Sequence, residues 1–141
     1  MRGTNDDEAI SLLKWAIVEG LSLRFIEQMP LDAGGAWSRD QMVTADEIFA
    51  QLSTAFTLTP VETRGSSPAE DFHINGGPAT VGIIGSVTRP FCASCDRVRL
   101  TSDGQIRACL FSMVETDMRA IVRNADLTAE QKREAMAKAF Q

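Results

Sequence analysis

All three cysteines of this chain, Cys92, Cys95 and Cys109, fall within the stretch "RPFCASCDRVRLTSDGQIRACLF", residues 89–111. Cys92 and Cys95 form a C-x2-C pair, and Cys109 follows after 13 residues that read as a tight hairpin. Thiols gathered in this way suit a shared soft-metal ligand. With His73, the single histidine of the chain, the cysteines make a Cys3His structural zinc set. Against that, His73 lies in "EDFHI", which reads as a strand without ligand-type spacing to the thiols. Alternatively, three thiolates hold an iron-sulfur cluster and leave one iron without a protein ligand, open to water or to a substrate atom. Spacing alone leaves both sites open.

The same segment carries Arg89, Arg97, Arg99 and Arg107. In "CDRVRL" the period of a strand puts Arg97 and Arg99 on one face and Val98 and Leu100 on the other. Two guanidiniums on one face offer bidentate recognition of phosphate or carboxylate, which a structural zinc does not require. The plainer reading is a solvated strand face whose arginines pair with Asp96 or Asp103. The formal net charge of -5 argues against nucleic acid as a partner, so phosphate recognition has to come from such local cations.

The chain of 141 residues, 44% hydrophobic and 23% charged, is long enough to bury a core around these groups. Its start, "MRGTNDDEAISLL", lacks the layout of a signal peptide, and no apolar run approaches the ~20 residues of a membrane span, so a cytoplasmic protein without membrane contact is expected. In a reducing compartment, clustered cysteines favour metal or chemistry over disulfides.

Residues 5–19 read as a helix with Asn5 as N-cap, Ile10, Leu13 and Ile17 at helical spacing, and Trp15 packed. Gly20 ends it, and "LSLRFIEQM" follows as a strand with Leu21, Leu23 and Phe25 on one face. After a loop over 31–41, "TADEIFAQLSTAF" opens a helix on the capping box Thr44 and Glu47, ahead of Ile48, Phe49 and Leu52. "FTLTPVET", "EDFHI" and "ATVGIIGSV", divided by the turn signals "RGSSP" and "NGGP", form an antiparallel meander. The hairpin comes next, with "RVRLT" and "QIRACL" as strands and Ser102-Asp103-Gly104 at the turn. Two helices close the chain, one over 114–124 and one from Thr128, with a capping box to Gln131 and carrying Ala135, Met136 and Phe140. No repeat is present, the strand "LRFIEQM" has no evident partner, and both ends read as cut, so that this strand would expose an edge and favour a homodimer or aggregation.

"GSVTRPFCASCDRVRLTSDGQIRACLF" closely resembles the C-terminal cluster motif of the GTP 3',8-cyclases, radical S-adenosylmethionine enzymes of molybdenum cofactor biosynthesis. "LRFIEQMP" and "MVTADEI" match the same family upstream, in order and at fitting distances, so the resemblance covers nearly the whole chain. It implies an α/β fold in which residues 1–56 are the last part of an incomplete (β/α) barrel, and residues 57–141 a C-terminal iron-sulfur and GTP-binding region of antiparallel meander, cluster hairpin and terminal helices.

The resemblance further implies a [4Fe-4S] cluster on Cys92, Cys95 and Cys109 whose open iron contacts the guanine of GTP. Arg97, Val98 and Arg99 would line the GTP site, Arg24 would face the triphosphate, and Met29 would touch S-adenosylmethionine. From the residues alone, Met29 is ordinary packing at a strand end and Arg24 an ion pair with Glu27. The family reaction removes the ribose 3' hydrogen and joins that carbon to guanine C8, giving 3',8-cyclo-7,8-dihydro-GTP, the precursor of cyclic pyranopterin monophosphate, whose synthase is the pathway neighbour. Two family features are absent from the sequence: the C-x3-C-x2-C motif of the radical-generating cluster and the C-terminal double glycine. The chain therefore reads as the C-terminal half of a cyclase, partnered by an N-terminal barrel half that holds a second cluster, and inactive alone. The alternative of another class is a non-catalytic zinc or iron-sulfur module that binds another protein.

Overall fold

A computed structural model of the chain describes residues 1–31, 34–62 and 64–140. It is an α/β protein with one mixed and one antiparallel sheet, and its residues fall into two compact units, Met1–Cys95 and Asp96–Gln141. Among the described residues no helix is long and apolar enough to cross a membrane.

In the first unit, helix α1 (Ala9–Val18), strand β1 (Leu23–Ile26), helix α2 (Ala45–Ser53) and strands β2 (Leu58–Pro60), β3 (Glu70–Ile74) and β4 (Thr80–Ile84) build a sheet of order β1-β4-β3-β2. The meander β2-β3-β4 is antiparallel as expected, and its β3-β4 turn uses positive φ at Asn75 (53°) and Gly76 (67°), the pair that twists a tight hairpin correctly. β1 does have a partner: it pairs in parallel with β4, Leu23 opposite Val81 and Ile26 opposite Ile84, and stands at the sheet edge. Residue 56, the expected division between regions, lies inside this unit.

One hydrophobic cluster joins Ala9 and Leu13 of α1, Ala45, Ile48 and Leu52 of α2, Phe72 and Ile74 of β3, and Val81 and Ile83 of β4. The alternation of β3 explains its share, with Phe72 and Ile74 buried and His73 between them exposed. Phe49 packs its ring 5.1 Å from that of Phe72. The capping box of α2 is formed as read, the Thr44 side chain accepting from the Glu47 amide while Glu47 reaches back to Thr44.

Three expectations fail here. Asn5 is not a cap: α1 begins at Ala9 behind Glu8, which makes no side-chain cap bond. Trp15 is 53% exposed, because the buried positions of α1 are Ala9, Leu13 and Ala16 and the indole lies off that stripe. Leu21 is also exposed, since β1 starts only at Leu23. The loop expected over 31–41 contains a 3-10 turn at Arg39–Gln41, while its residues 32 and 33 lie outside the described residues.

In the second unit, strands β5 (Arg99–Leu100), β6 (Gln105–Arg107) and β7 (Thr116–Asp117) form an antiparallel sheet of that order, followed by helices α3 (Met118–Arg123) and α4 (Ala129–Lys138). At the turn between β5 and β6 the Thr101 amide donates to the Gln105 carbonyl and Gly104 takes φ 88°, and both strands are shorter than the sequence pattern suggests. β7 occupies residues read as helix, so the helix expected over 114–124 shrinks to α3. The Thr128 capping box of α4 is formed, and Phe140 beyond its end is exposed.

Ile106 is the one buried hydrophobic residue described in this unit, while Leu100, Phe111, Met113 and Val114 are exposed. A unit with so little buried apolar surface opens at a low free energy. Amides of β5 and β6 are therefore expected to exchange with deuterium at least tenfold faster than those of β3 and β4. Equal protection across both sheets would contradict this.

Candidate functional site

The C-x2-C pair stands on a 3-10 turn, Cys92–Ser94, in which the Cys95 amide donates to the Cys92 carbonyl at 3.3 Å. The pair is thus outside the hairpin rather than in it, and both thiols are exposed. Cys109 follows β6 in the second unit and is exposed too, and no disulfide joins any of the three. Thiols that are exposed and not spent on disulfides are the right donors for a soft-metal centre. Among the described residues no three His, Cys, Asp or Glu side chains are placed as a ready metal-binding group. His73 in particular is exposed mid-strand, its backbone registered against Thr59 and Thr80, and is not gathered with Cys92 and Cys95.

The segment that leads into Cys92 is held from several sides. The buried carboxylate of Glu27, 1% exposed, accepts from the Val87 amide at 2.7 Å, the Thr88 amide at 2.8 Å and the Thr88 hydroxyl. It also accepts from the Ala45 amide at 2.7 Å, at the start of α2. Arg89 closes a turn on Gly85, its amide 3.0 Å from the Gly85 carbonyl, and its guanidinium pairs with Glu70 and Asp46. Gly85 has to be glycine, since a Cβ there would lie 2.8 Å from Arg89 Cβ and 3.3 Å from Ala45 Cβ. Phe91 lies under the Arg64 guanidinium, 5.9 Å from its ring centroid.

Glu27 is the buried acid at the centre of these contacts. Burial by itself pushes its carboxyl up, but the hydrogen bonds from Thr88, Ala45 and Val87 more than offset that and hold it below the ordinary carboxylate value. Glu47, bonded by Arg2 and by the Thr44 amide, is lowered to about 2, though its exposure leaves that pair screened by salt. A lowered native value means stability that is fully present above the unfolded value, about 4.3 for glutamate, and lost as pH falls through the native one. Urea unfolding should show the parent losing stability below about pH 4.3, while Glu27→Gln, weaker at neutral pH, loses less over the same range. Equal losses in the two proteins would remove Glu27 from the acid response.

Further along β1, Arg24 is mostly exposed and pairs with Asp71 at 3.8 Å, not with Glu27, whose side chain is turned inward. Gln28 lines a cleft of about 210 Å³ with Phe25, Ile26, Val43 and Ile48; its Oε1 is buried without a partner, and its carbonyl accepts from Trp37 Nε1 at 2.9 Å. Met29 follows, half-buried at the strand end.

In the second unit, Arg99 registers directly against Arg107 across the hairpin. Like charges opposite each other destabilise a strand pair. Here Glu115 neutralises Arg107 through both its Nε and a terminal nitrogen, whereas no salt bridge of Arg99 occurs among the described residues. The strand covers only Arg99 and Leu100, so Arg97 and Val98 precede it, yet the alternation holds: both arginines are half-buried while Val98 and Leu100 are 43% and 69% exposed.

A family model described as Molybdenum Cofactor Synthesis C matches residues 21–141. A GTP 3',8-cyclase of Streptomyces coelicolor is 58% identical over 126 residues, which cover 88% of this chain and 37% of that protein. Those of Rhodococcus opacus and Mycolicibacterium smegmatis are 55% and 50% identical, over 82% and 88% of this chain and 33% and 36% of theirs. The chain spans about a third of the length of these curated relatives.

Proposed function

The chain belongs to the Molybdenum Cofactor Synthesis C family, and from that premise we propose that it is the substrate-binding part of a GTP 3',8-cyclase, acting on GTP in molybdenum cofactor biosynthesis. Residues 1–56 then complete a (β/α) barrel and residues 57–141 form the iron-sulfur and GTP region. Cys92, Cys95 and Cys109 hold a [4Fe-4S] cluster, and their chemistry as exposed thiols outside any disulfide fits that group. Bound through three thiolates, the cluster offers one iron to a substrate atom.

The observation that carries the reading is Arg99 facing Arg107 on the hairpin between the second and third cysteines, a like-charge pairing that an anion would relieve. GTP supplies that anion. Arg97, Val98 and Arg99 contact it, and Arg24, whose Nε lies 3.8 Å from Asp71 Oδ1, reaches the triphosphate. Met29 lines S-adenosylmethionine; the orphaned Gln28 Oε1 one residue earlier supports a ligand with hydrogen-bond donors at this strand end. The partners are an N-terminal barrel half with its own cluster and, next in the pathway, cyclic pyranopterin monophosphate synthase, with the cytoplasm as the setting.

Anaerobic reconstitution tests the reading. The chain should take up iron and sulfide and turn brown, and under reduction it should release no 5'-deoxyadenosine from S-adenosylmethionine, since the sequence has no C-x3-C-x2-C motif. Tightly bound zinc, released by substituting His73, would instead favour a zinc module. Deoxyadenosine formation by the pure chain would overturn the assignment of radical generation to other residues than these.

A further inference from the structure

We infer that Glu27 is a positioning residue for the Cys92–Cys95 turn, a buried carboxylate clamp that holds the thiol-bearing loop in place before any ligand arrives. Every hydrogen-bonding atom of the residue is engaged with the end of β4, with the loop that follows it or with the helix beside it. Its amide donates to the Ile84 carbonyl at 3.1 Å, where β4 ends and the loop begins, and its carbonyl accepts from the Ser86 hydroxyl at 3.2 Å. Its carboxylate takes two successive loop amides, Val87 and Thr88, together with the Thr88 hydroxyl, and the Ala45 amide of α2.

A carboxylate with 1% exposure and several donors is costly to bury and costly to disturb, because the Ala45 amide would be left buried, and the Val87 and Thr88 donors part-buried, without a partner. The loop then has little freedom up to Thr88. Arg89, tied to Glu70 and Asp46, and Phe91, under Arg64, carry that restraint to the residue before Cys92. Two thiolates presented on a fixed turn lose less freedom on taking a metal than two on a mobile loop, which is how residues that never touch a metal tune its retention.

The functional weight of this clamp rests on Cys92 and Cys95 being cluster ligands, but its existence is read without a cluster. The measurement is the backbone 15N order parameter of Ala93, Ser94 and Cys95 in the chain as it stands. In the parent these should sit near the rigid value of about 0.85, and in Glu27→Gln below about 0.6. Val81→Ala, a buried substitution on the same sheet, serves as a destabilised control and should leave them at the parent value.

If Glu27→Gln does not fold, Thr88→Val, which removes one donor, should lower the same order parameters, and Thr88→Ser, which returns the hydroxyl, should restore them. In the cluster-loaded chain, iron loss to a chelator should run about tenfold faster for Glu27→Gln than for Val81→Ala. Parent order parameters already below about 0.6, or values that fall equally in the control, overturn the clamp. A parent that binds no iron and sulfide overturns the cluster assignment instead, and the order parameters still decide the clamp.

Discussion

Alanine at any one of Cys92, Cys95 or Cys109 is expected to reduce bound iron and sulfide to background. A three-thiolate cluster has no spare protein ligand, and no other cysteine exists in the chain to replace a lost one. The effect should be chemical and not a failure to fold. All three residues are exposed, and exposed substitutions change stability by about 0.5 kcal/mol or less. Each variant should therefore unfold in urea at the parent's midpoint while its visible absorbance after anaerobic reconstitution disappears. Serine, which keeps the size but not the soft donor, should behave like alanine. Parent levels of iron and sulfide in any single variant would remove that cysteine from the ligand set. Cys109 is the most informative, since it belongs to the other compact unit from the C-x2-C pair.

Local chemistry made much of this chain legible. Thr44 with Glu47 and Thr128 with Gln131 announce helices because a capping box is complete within four residues. "EDFHI" announces a half-buried strand because period 2 needs no knowledge of the partner. What stayed hidden is what depends on distant partners. Nothing near Leu23 signals that Val81 lies beside it, and so β1 read as a strand without a neighbour. The sequence points to a packed Trp15 although the buried stripe of α1 runs through Ala9, Leu13 and Ala16, because a large apolar side chain carries more weight in sequence than two alanines.

Glu27 was partly legible. It continues the inward parity of Leu23 and Phe25, and an acid on the buried face of a strand calls for donors from elsewhere. Those donors, Ala45, Val87 and Thr88, sit 18, 60 and 61 residues away, so the sequence could mark the position but not identify what it holds. The candidate site residues stand out chiefly because their chemistry is scarce: three thiols among 141 residues, and arginines spaced for one strand face in an acidic chain.

For the arginines the expected result is a separation of stability from binding. Arg99 faces Arg107 across the hairpin, and among the described residues only Arg107 of the two forms a salt bridge, to Glu115. Removing Arg99 relieves a like-charge contact, so Arg99→Ala should be neutral or slightly stabilising toward urea. Its effect on GTP should be the reverse. A charge-assisted hydrogen bond lost from the ligand costs about 1.5–3 kcal/mol, and each 1.4 kcal/mol is tenfold, so affinity should fall roughly ten- to hundredfold for Arg99→Ala, and similarly for Arg97→Ala. Lysine keeps the charge but not the planar fork, and should recover only part of the loss. Arg24→Ala should cost less, because that side chain is largely exposed and already weakly paired with Asp71. The measurement is titration of GTP into cluster-loaded protein at fixed salt, alongside the N-terminal half. Should Arg97→Ala and Arg99→Ala both bind GTP like the parent with the cluster intact, the facing arginines are a solvated strand surface, and the anion that relieves them is the solvent's own.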